Sequence, residues 1–250
     1  MTSFKKQIIT HILKKAVKNT LDFVYPPLCF LCNANLGDEQ YWLCMDCKEK
    51  LLKNFEERDG CAKCGINKNK HRCSCDKFND YYFSGAFSFF DYNRDVHDLI
   101  HQLKYRSKSR LAYYLGKEFA YLIPDNFLRD ADGIIPVPLH FLRQMQRGYN
   151  QADYLARGIV EGLNNKLPYI RNVLKRVKYT RTQTKLDRVE RHKNLSNAFI
   201  VNPRYVQTIQ NNKMILVDDV ITTGATTSIC SEVLSTAGAE RTHVISIARG

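Results

Sequence analysis

Apolar positions in the last two thirds of the chain follow two spacings. Short apolar runs bounded by turn residues predict buried β-strands, whereas apolar residues that recur every three or four positions, such as Val96, Leu99 and Leu103, predict helices. Strands alternating with helices are typical of a parallel sheet with helices on both faces, so the predicted fold class is α/β. The predicted strands cover 82–90, 133–138, 213–219 and 242–248, and the predicted helices cover 96–103, 110–122, 140–163 and 226–237.

The beginning of the chain has the spacing of an amphipathic helix with a lysine-rich face. Lys, His or Asn interrupts each apolar group, so the segment lacks the apolar core of about 7–15 residues found in secretory signals. No window reaches the roughly 18 apolar residues of a membrane helix. We therefore expect a soluble, cytoplasmic protein without a membrane span, whose first helix packs on its own domain rather than on a membrane surface. The apolar positions of this helix are Phe4, Ile8, Ile12, Leu13, Val17 and Leu21.

Eight of the nine cysteines lie close together, between Cys29 and Cys75. A pair of cysteines separated by two residues turns both thiolates toward one point, at the roughly 2.3 Å that Zn–S bonds require, and two such pairs complete a tetrahedron. A disulfide framework is the alternative, but we expect a reducing compartment, where such bonds do not persist. The sequence therefore predicts two zinc ribbons in series, holding one or two structural zinc ions through Cys29, Cys32, Cys44, Cys47, Cys61, Cys64, Cys73 and Cys75.

Spacing alone leaves the grouping of these ligands open. The pairs could join in chain order or cross-brace, and His71 could replace one ligand of the second site, because Cys73 and Cys75 are separated by a single residue. We expect the cysteine-rich domain with the first helix to cover residues 1–78 and an α/β domain to cover 79–250. Cys230 falls within a predicted helix, where a small buried residue with no chemistry is the simplest interpretation.

The formal net charge is +13 and the isoelectric point is about 9.3, which favours polyanionic partners. The stretch Arg171–Lys193 holds nine Lys or Arg against two acidic residues, so much of the excess charge is concentrated there. A second basic stretch mixes an aromatic residue with cations, as in proteins that bind single-stranded nucleic acid. This nucleic-acid candidate comprises Lys104, Tyr105, Arg106, Lys108 and Arg110.

The stretch Met214–Thr226 joins an apolar strand, two carboxylates, a hydroxylated loop and a helix. In an open α/β sheet, ligands bind at the carboxyl ends of strands, and Gly224 with the amides at the helix start suits a phosphate group. Asp218 and Asp219 beside an anion site need donors, which the vicinal hydroxyls of ribose or a divalent cation supply. A buried strand that ends in an exposed acidic pair and an ordinary turn is the alternative. The fingerprints of dinucleotide-binding and P-loop proteins are absent from the sequence.

This loop resembles the phosphoribosyl pyrophosphate (PRPP) motif of type I phosphoribosyltransferases, and nearly the whole chain is similar to the ComF family of competence-associated proteins. The resemblance is carried by the cysteine-rich segment and by three further stretches, Ile135–Ala152, Arg181–Phe199 and Val217–Thr226. It implies a type I phosphoribosyltransferase core that binds PRPP or ribose 5-phosphate with Mg²⁺. The implied PRPP-binding residues are Asp218, Asp219, Val220, Thr222, Thr223, Gly224, Ala225 and Thr226.

The same resemblance implies that the turn around Pro138 faces pyrophosphate and that the basic stretch forms a hood over it. Cations and the exclusion of water stabilise a departing pyrophosphate as its charge develops. Arg143 and Arg147 form a second patch, since like charges four residues apart on a helix repel unless an anion lies between them. The hood candidates are Arg176, Arg181, Lys185, Arg188 and Arg191.

Two functions follow. The first is a ComF-like protein that binds PRPP or ribose 5-phosphate and handles single-stranded DNA during natural transformation, with the zinc ribbons docking a competence helicase or other machinery. The second is a Mg²⁺-dependent phosphoribosyltransferase, which would transfer a pentosyl group to an acceptor that the sequence does not identify. Thr222 stands where the hypoxanthine-guanine enzymes carry an Asp for the purine base, so a standard base-salvage activity is not expected. Binding is accordingly a firmer prediction than turnover.

Overall fold

The computed structural model describes residues 27–37, 40–73, 75, 81–103, 109–178 and 197–250. The chain divides into two compact units, residues 1–50 and 51–250. The amphipathic helix predicted over Phe4 to Leu21 lies outside the described residues. Among those that are described, no helix is both long and apolar enough to cross a membrane.

A four-stranded sheet forms the centre of the second unit, with the strand order β1-β6-β5-β2 and every neighbouring pair parallel. Four buried strands explain the apolar runs in the sequence, because a parallel sheet is covered on both faces. The strands are β1 (Gly85–Asp91), β2 (Gly133–Pro136), β5 (Lys213–Ile221) and β6 (Arg241–Arg249).

The helices of the described residues are α1 (Met45–Glu56), α2 (Arg94–Gln102), α3 (Ser109–Phe119), α4 (Asp125–Leu128), α5 (Phe141–Arg147), α6 (Gln151–Gly162), α7 (Val206–Ile209) and α8 (Ala225–Thr236). All but α1 follow β1 in the chain. Single turns of 3₁₀-helix cover Ala120–Leu122 and Pro203–Tyr205.

Side chains on the two faces of β5 belong to different parts of the core. Met214 and Leu216 join a buried cluster with Ile229 and Leu234 of α8. Alternation along the strand turns Val217 to the other face, where α6 packs against β5 and β2. The predicted α/β class, with a parallel sheet and helices on both faces, is confirmed.

Helices α3 and α6 lie unusually close together because glycines occupy their contact. A Cβ atom at Gly158 would lie 2.0 Å from the Tyr113 carbonyl oxygen, and one at Gly116 would lie 2.4 Å from the Leu155 carbonyl oxygen. The absence of side chains at these positions therefore allows the two backbones to pack directly.

The helical region predicted over 140–163 contains two helices, α5 and α6, separated by a short break. Gly148 ends α5 in the left-handed conformation with φ of 79°. The Asn150 side chain then accepts a hydrogen bond from the Ala152 amide at 3.2 Å and caps the start of α6. The break places the residues between the helices beside the sheet.

A short antiparallel pair, β3 (Leu174–Arg176) and β4 (Phe199–Val201), was not expected from the sequence. These strands flank residues 179–196, which are not described. The pairing of Leu174 with Val201 brings together the chain segments before and after those residues. Arg176 is the last residue of β3, and its guanidinium lies over the Phe199 ring, 5.2 Å from the centroid.

Candidate functional site

The cysteines form two groups in chain order, each with the geometry of a zinc site. All four sulfur atoms within a group lie within 4.8 Å of one another. Cys32 and Cys44 Sγ are 3.5 Å apart in the first group, and Cys64 and Cys73 Sγ are 3.5 Å apart in the second. Tetrahedral thiolates at about 2.3 Å from zinc would be separated by about 3.8 Å. The groups are Cys29, Cys32, Cys44 and Cys47, and Cys61, Cys64, Cys73 and Cys75.

This grouping answers both questions that spacing left open. Among the described residues, the ligands pair in sequence rather than cross-bracing, and Cys75 completes the second group in place of His71. Burial acts to raise the pKa of Cys29, but hydrogen bonds from the backbone of Cys32 and Cys44 lower it to about 7, which favours the thiolate of this one ligand. Cys230 belongs to neither group and is fully buried in α8.

Residues 58–75 around the second cysteine group, here called the second ribbon, pack directly on β1. The Ala86 amide donates to the Ala62 carbonyl at 3.2 Å, and Lys63 Nζ donates to the Phe83 carbonyl at 2.6 Å. Arg58 Nε donates to Asp91 Oδ1 at 2.7 Å, in an ion pair whose side chains are both less than 10% exposed. The second ribbon and the α/β sheet are therefore parts of one compact unit.

A pocket opens where β5 ends and α8 begins, with about 310 Å³ of empty space. Its walls come from Asp218, Val220 and a turn that we call the phosphate loop (residues 222–226). Thr227 completes the lining, and the loop supplies threonine hydroxyls together with the first amides of the 12-residue helix α8. These groups are donors suited to an anion at a helix N-terminus. Of the predicted PRPP-binding residues, all but Asp219 line this pocket.

Gly224 is required at the turn for two reasons. Its φ of 76° is left-handed, and a Cβ there would lie 2.6 Å from Cε1 of Tyr81. Tyr81 also donates from its hydroxyl to the Thr223 carbonyl at 3.2 Å. The back of the phosphate loop is thus closed by an aromatic ring, and its front faces the pocket.

The carboxylates of Asp218 and Asp219 each accept a hydrogen bond from the backbone amide of the next residue. Asp218 Oδ1 accepts from the Asp219 amide at 2.8 Å, and Asp219 Oδ1 accepts from the Val220 amide at 2.9 Å. Burial raises the pKa of Asp218 well above its usual range, the Asp219 carboxylate raises it further, and Arg176 acts in the opposite direction. Additional positive charge near this pair would therefore be stabilised, as expected for a site that takes a cation with its ligand.

One predicted cation, Arg176, lies near Asp218, and a second, Arg143, lies near Arg176. Burial and the positive charge of Arg143 lower the pKa of Arg176, whereas Asp218 raises it, so these three side chains interact electrostatically. Arg147 instead donates to the Gln151 side chain at 3.3 Å. Pro138 follows β2 and is half-buried at the same edge of the sheet. Arg181, Lys185, Arg188 and Arg191 lie outside the described residues, as do Lys104, Tyr105, Arg106 and Lys108, whereas Arg110 is exposed near the start of α3.

The segment between α5 and α6 shapes two neighbouring loops. Asn150 donates to the Val137 carbonyl at 2.9 Å, which fixes the turn after β2. Tyr149 and Gln151 both donate to the Leu103 carbonyl, at the last described residue before 104–108. These three polar side chains therefore fix the backbone of Val137 and Leu103.

Arg249 is a functional-site residue that the sequence analysis did not identify. Its guanidinium donates to the carbonyls of Ile221 and Thr222, so it contacts the phosphate loop from behind the pocket. The sequence feature that could have identified Arg249 is its position directly after the apolar run 244–248. An arginine buried at the end of a strand requires several hydrogen-bond acceptors.

Comparisons with known proteins agree with this architecture. Residues 20–78 match the double zinc ribbon domain family. Competence protein F of Haemophilus influenzae is 32% identical over 228 residues, which cover 88% of this chain and 96% of that protein. DNA utilization protein YhgH of Salmonella typhimurium is 29% identical over 230 residues, covering 90% and 97% of the two chains.

Among solved structures, glutamine PRPP amidotransferase from B. subtilis is 21% identical to this chain. The likeness covers 58% of this chain and 30% of that one, with a TM-score of 0.38. The fold class follows from the parallel sheet and its strand order, not from this likeness. The match to competence protein F instead covers most of both chains at 32% identity. This chain therefore belongs to the ComF family.

Proposed function

We propose that this protein binds PRPP or ribose 5-phosphate, together with Mg²⁺, in the pocket at the end of β5. The observation that carries the proposal is the lining of that pocket, which combines a half-buried carboxylate with a threonine-rich loop at a helix N-terminus. The 5′-phosphate would accept hydrogen bonds from the loop amides and threonine hydroxyls. The ribose hydroxyls would donate to the acidic pair.

Magnesium suits the same set of residues. Mg²⁺ is bound in proteins by one or two carboxylates together with the phosphates of a ligand. Asp218 is the carboxylate in the pocket, and burial together with the Asp219 carboxylate raises its pKa. A cation that arrives with the ligand would act in the opposite direction.

We further propose that this site serves the handling of single-stranded DNA in competence. Support comes from the relatives, which are named a competence protein and a DNA utilization protein. The net charge of +13 favours a polyanionic partner, and the stretch 104–110 combines four cations with a tyrosine. The carbonyl of Leu103, which precedes this stretch, accepts hydrogen bonds from Tyr149 and Gln151.

Pentosyl transfer is a second candidate because Arg176 interacts with Asp218 and Arg143 lies near Arg176. In that reaction the bond from ribose C1 to pyrophosphate breaks, its electrons leave with the pyrophosphate, and an acceptor nucleophile forms the new bond to C1. Arg143 and Arg176 interact with each other and, through Arg176, with Asp218. Such cations stabilise the charge that develops on the leaving group.

Calorimetric titration of the full chain with PRPP and Mg²⁺ tests the binding proposal. We expect saturable, Mg²⁺-dependent binding that weakens about 100-fold or more in the Asp218→Asn/Asp219→Asn variant, because hydrogen bonds to charged groups are lost. Asp130→Asn, an exposed carboxylate remote from the pocket, is the matched control. Unchanged affinity in the double variant would refute the site assignment. Pyrophosphate release from PRPP, with and without single-stranded DNA, separates a transferase from a binding protein.

A further inference from the structure

We propose that Arg249 makes the second ribbon part of the phosphate site, by holding the Cys64 knuckle and the phosphate loop in one hydrogen-bonded arrangement. The inference rests on the proposed function in that it concerns the same pocket. Arg249 is a positioning residue, because its side chain contacts the backbone of the loop and not the ligand itself.

The geometry of Arg249 carries the argument. This residue ends β6, which lies between β1 and β5 in the sheet, and only 5% of its surface is exposed. Its Nε donates to the Cys64 carbonyl at 2.9 Å, on the cysteine group. Its Nη1 donates to the Ile221 carbonyl at 3.0 Å and also to the Thr222 carbonyl. One planar guanidinium therefore contacts both a zinc knuckle and the phosphate loop, and its fixed donor geometry transmits a shift of either one to the other.

A second contact reaches the loop from the segment that follows the second ribbon. The Tyr81 hydroxyl donates to the Thr223 carbonyl at 3.2 Å, and the Tyr82 amide donates to Ser228 Oγ at 3.2 Å. The Tyr81 ring stacks on Phe83 with centroids 4.6 Å apart, and Lys63 of the second ribbon donates to the Phe83 carbonyl. The two routes meet the loop at consecutive residues, Thr222 and Thr223.

The metal state of the second ribbon should consequently affect the pocket. Cys64 supplies both a thiolate to the cysteine group and the carbonyl that accepts from Arg249. A small segment with few large apolar residues depends on its metal for structure. Without the metal, the Cys64 carbonyl would no longer be fixed, and Arg249 would lose one of the acceptors that orient it toward the phosphate loop.

The first test changes the arginine. Arg249→Lys keeps the charge but replaces the planar guanidinium by a single ammonium group, which cannot keep the same set of contacts. We expect the variant to retain its zinc, measured by mass spectrometry, while amide hydrogen exchange in residues 222–226 becomes faster and PRPP binding becomes about tenfold weaker. Arg241→Lys, at the exposed opposite end of β6, is the matched control and should change neither quantity. Tyr81→Phe, a milder change, should accelerate exchange at the same loop.

The second test removes metal ligands. Cys61→Ser/Cys64→Ser should accelerate exchange in residues 222–226, whereas Cys29→Ser/Cys32→Ser, in the other compact unit, should not. Unchanged loop exchange in Arg249→Lys, or in the second-ribbon variant, would overturn the inference. The exchange measurement needs no ligand, so it remains decisive if the wild-type protein does not bind PRPP, an outcome that would refute only the proposed function.

Discussion

The ionised form of Asp218 is electrostatically unfavourable in its surroundings. Burial raises its pKa well above the usual range, and Asp219 adds to this effect. Because the folded-state pKa is raised, the folded state holds more protons than the unfolded state above the ordinary aspartate pKa of about 3.9, and its stability falls as pH rises through the folded-state value. A neutral amide at this position avoids that loss.

We therefore predict that Asp218→Asn raises the melting temperature of the ligand-free protein at pH 7 while it weakens PRPP binding. The rise should be about 2–4 °C, as for about 1 kcal/mol in a chain of this size, and it should vanish below about pH 4. Scanning calorimetry from pH 3.5 to 8 measures both. Asp130→Asn should stay within about 0.5 kcal/mol of the wild type at every pH. A lower melting temperature for Asp218→Asn at pH 7 would contradict the prediction.

Gly224 allows a second test at the level of single residues. Gly224→Ala adds the strain of a left-handed conformation, about 1–2 kcal/mol, and a collision with the Tyr81 ring. Gly148→Ala is a matched control, since its φ of 79° is similar but nothing lies within 4 Å of the added Cβ. We expect Gly224→Ala to be more destabilising by about 1–3 kcal/mol in urea denaturation. Equal losses in the two variants would show that Tyr81 does not restrict the loop.

The residues that line the pocket could be predicted from a contiguous stretch of sequence, but the residues that support the phosphate loop from behind could not. Asp218 and the phosphate loop are contiguous, so the order of strand, carboxylates, glycine and helix could be interpreted directly from the letters. Arg249 and Tyr81 reach the loop from 27 and 142 residues away, through hydrogen bonds to backbone carbonyls. Every residue has a backbone carbonyl, so a hydrogen bond to one does not require a particular amino acid at the acceptor position. Such contacts are therefore difficult to predict from a single sequence.

At the level of elements, the packing of α3 on α6 depends on glycine at the point of contact. Gly158→Ala would gain about 1 kcal/mol of helix propensity, but the new Cβ would lie 2.0 Å from the Tyr113 carbonyl. Overpacking costs about 1–3 kcal/mol, so we expect a net loss of stability. Urea denaturation measures it, with Gly37→Ala, whose Cβ would have its nearest neighbour at 3.9 Å, as the control. A stabilised Gly158→Ala variant would show that the two helices can separate at little cost.

The elements themselves could be predicted wherever a long apolar pattern specified them. The four sheet strands and α8 were predicted on that basis. The helical region 140–163 was predicted without its break, because apolar spacing continues through Gly148, where the left-handed backbone ends α5. The pair β3 and β4 has three residues per strand, and its pairing across residues 177–198 is a tertiary contact that periodicity cannot reveal.

At the scale of the whole molecule, DNA binding through surface charge and PRPP binding in the pocket at the end of β5 should respond differently to salt. Single-stranded DNA bound by the four cations of the 104–110 stretch would release counterions, so log K should fall with log salt at a slope of about −0.7 for each phosphate contact. Four contacts give a loss of about 50-fold between 50 and 200 mM salt. PRPP bound through Mg²⁺ and the loop amides should change much less over that range and depend instead on Mg²⁺.

Fluorescence anisotropy with labelled single-stranded DNA tests whether those four cations supply the slope. Replacing Lys104, Arg106, Lys108 and Arg110 by Gln should flatten it toward zero while PRPP affinity is retained. Replacing four exposed cations elsewhere, Lys50, Lys53, Arg129 and Arg204, removes the same charge and should leave most of the slope, because a counterion-release slope counts contacts rather than net charge. Equal flattening in both variants would instead indicate that the +13 field attracts DNA without a defined site.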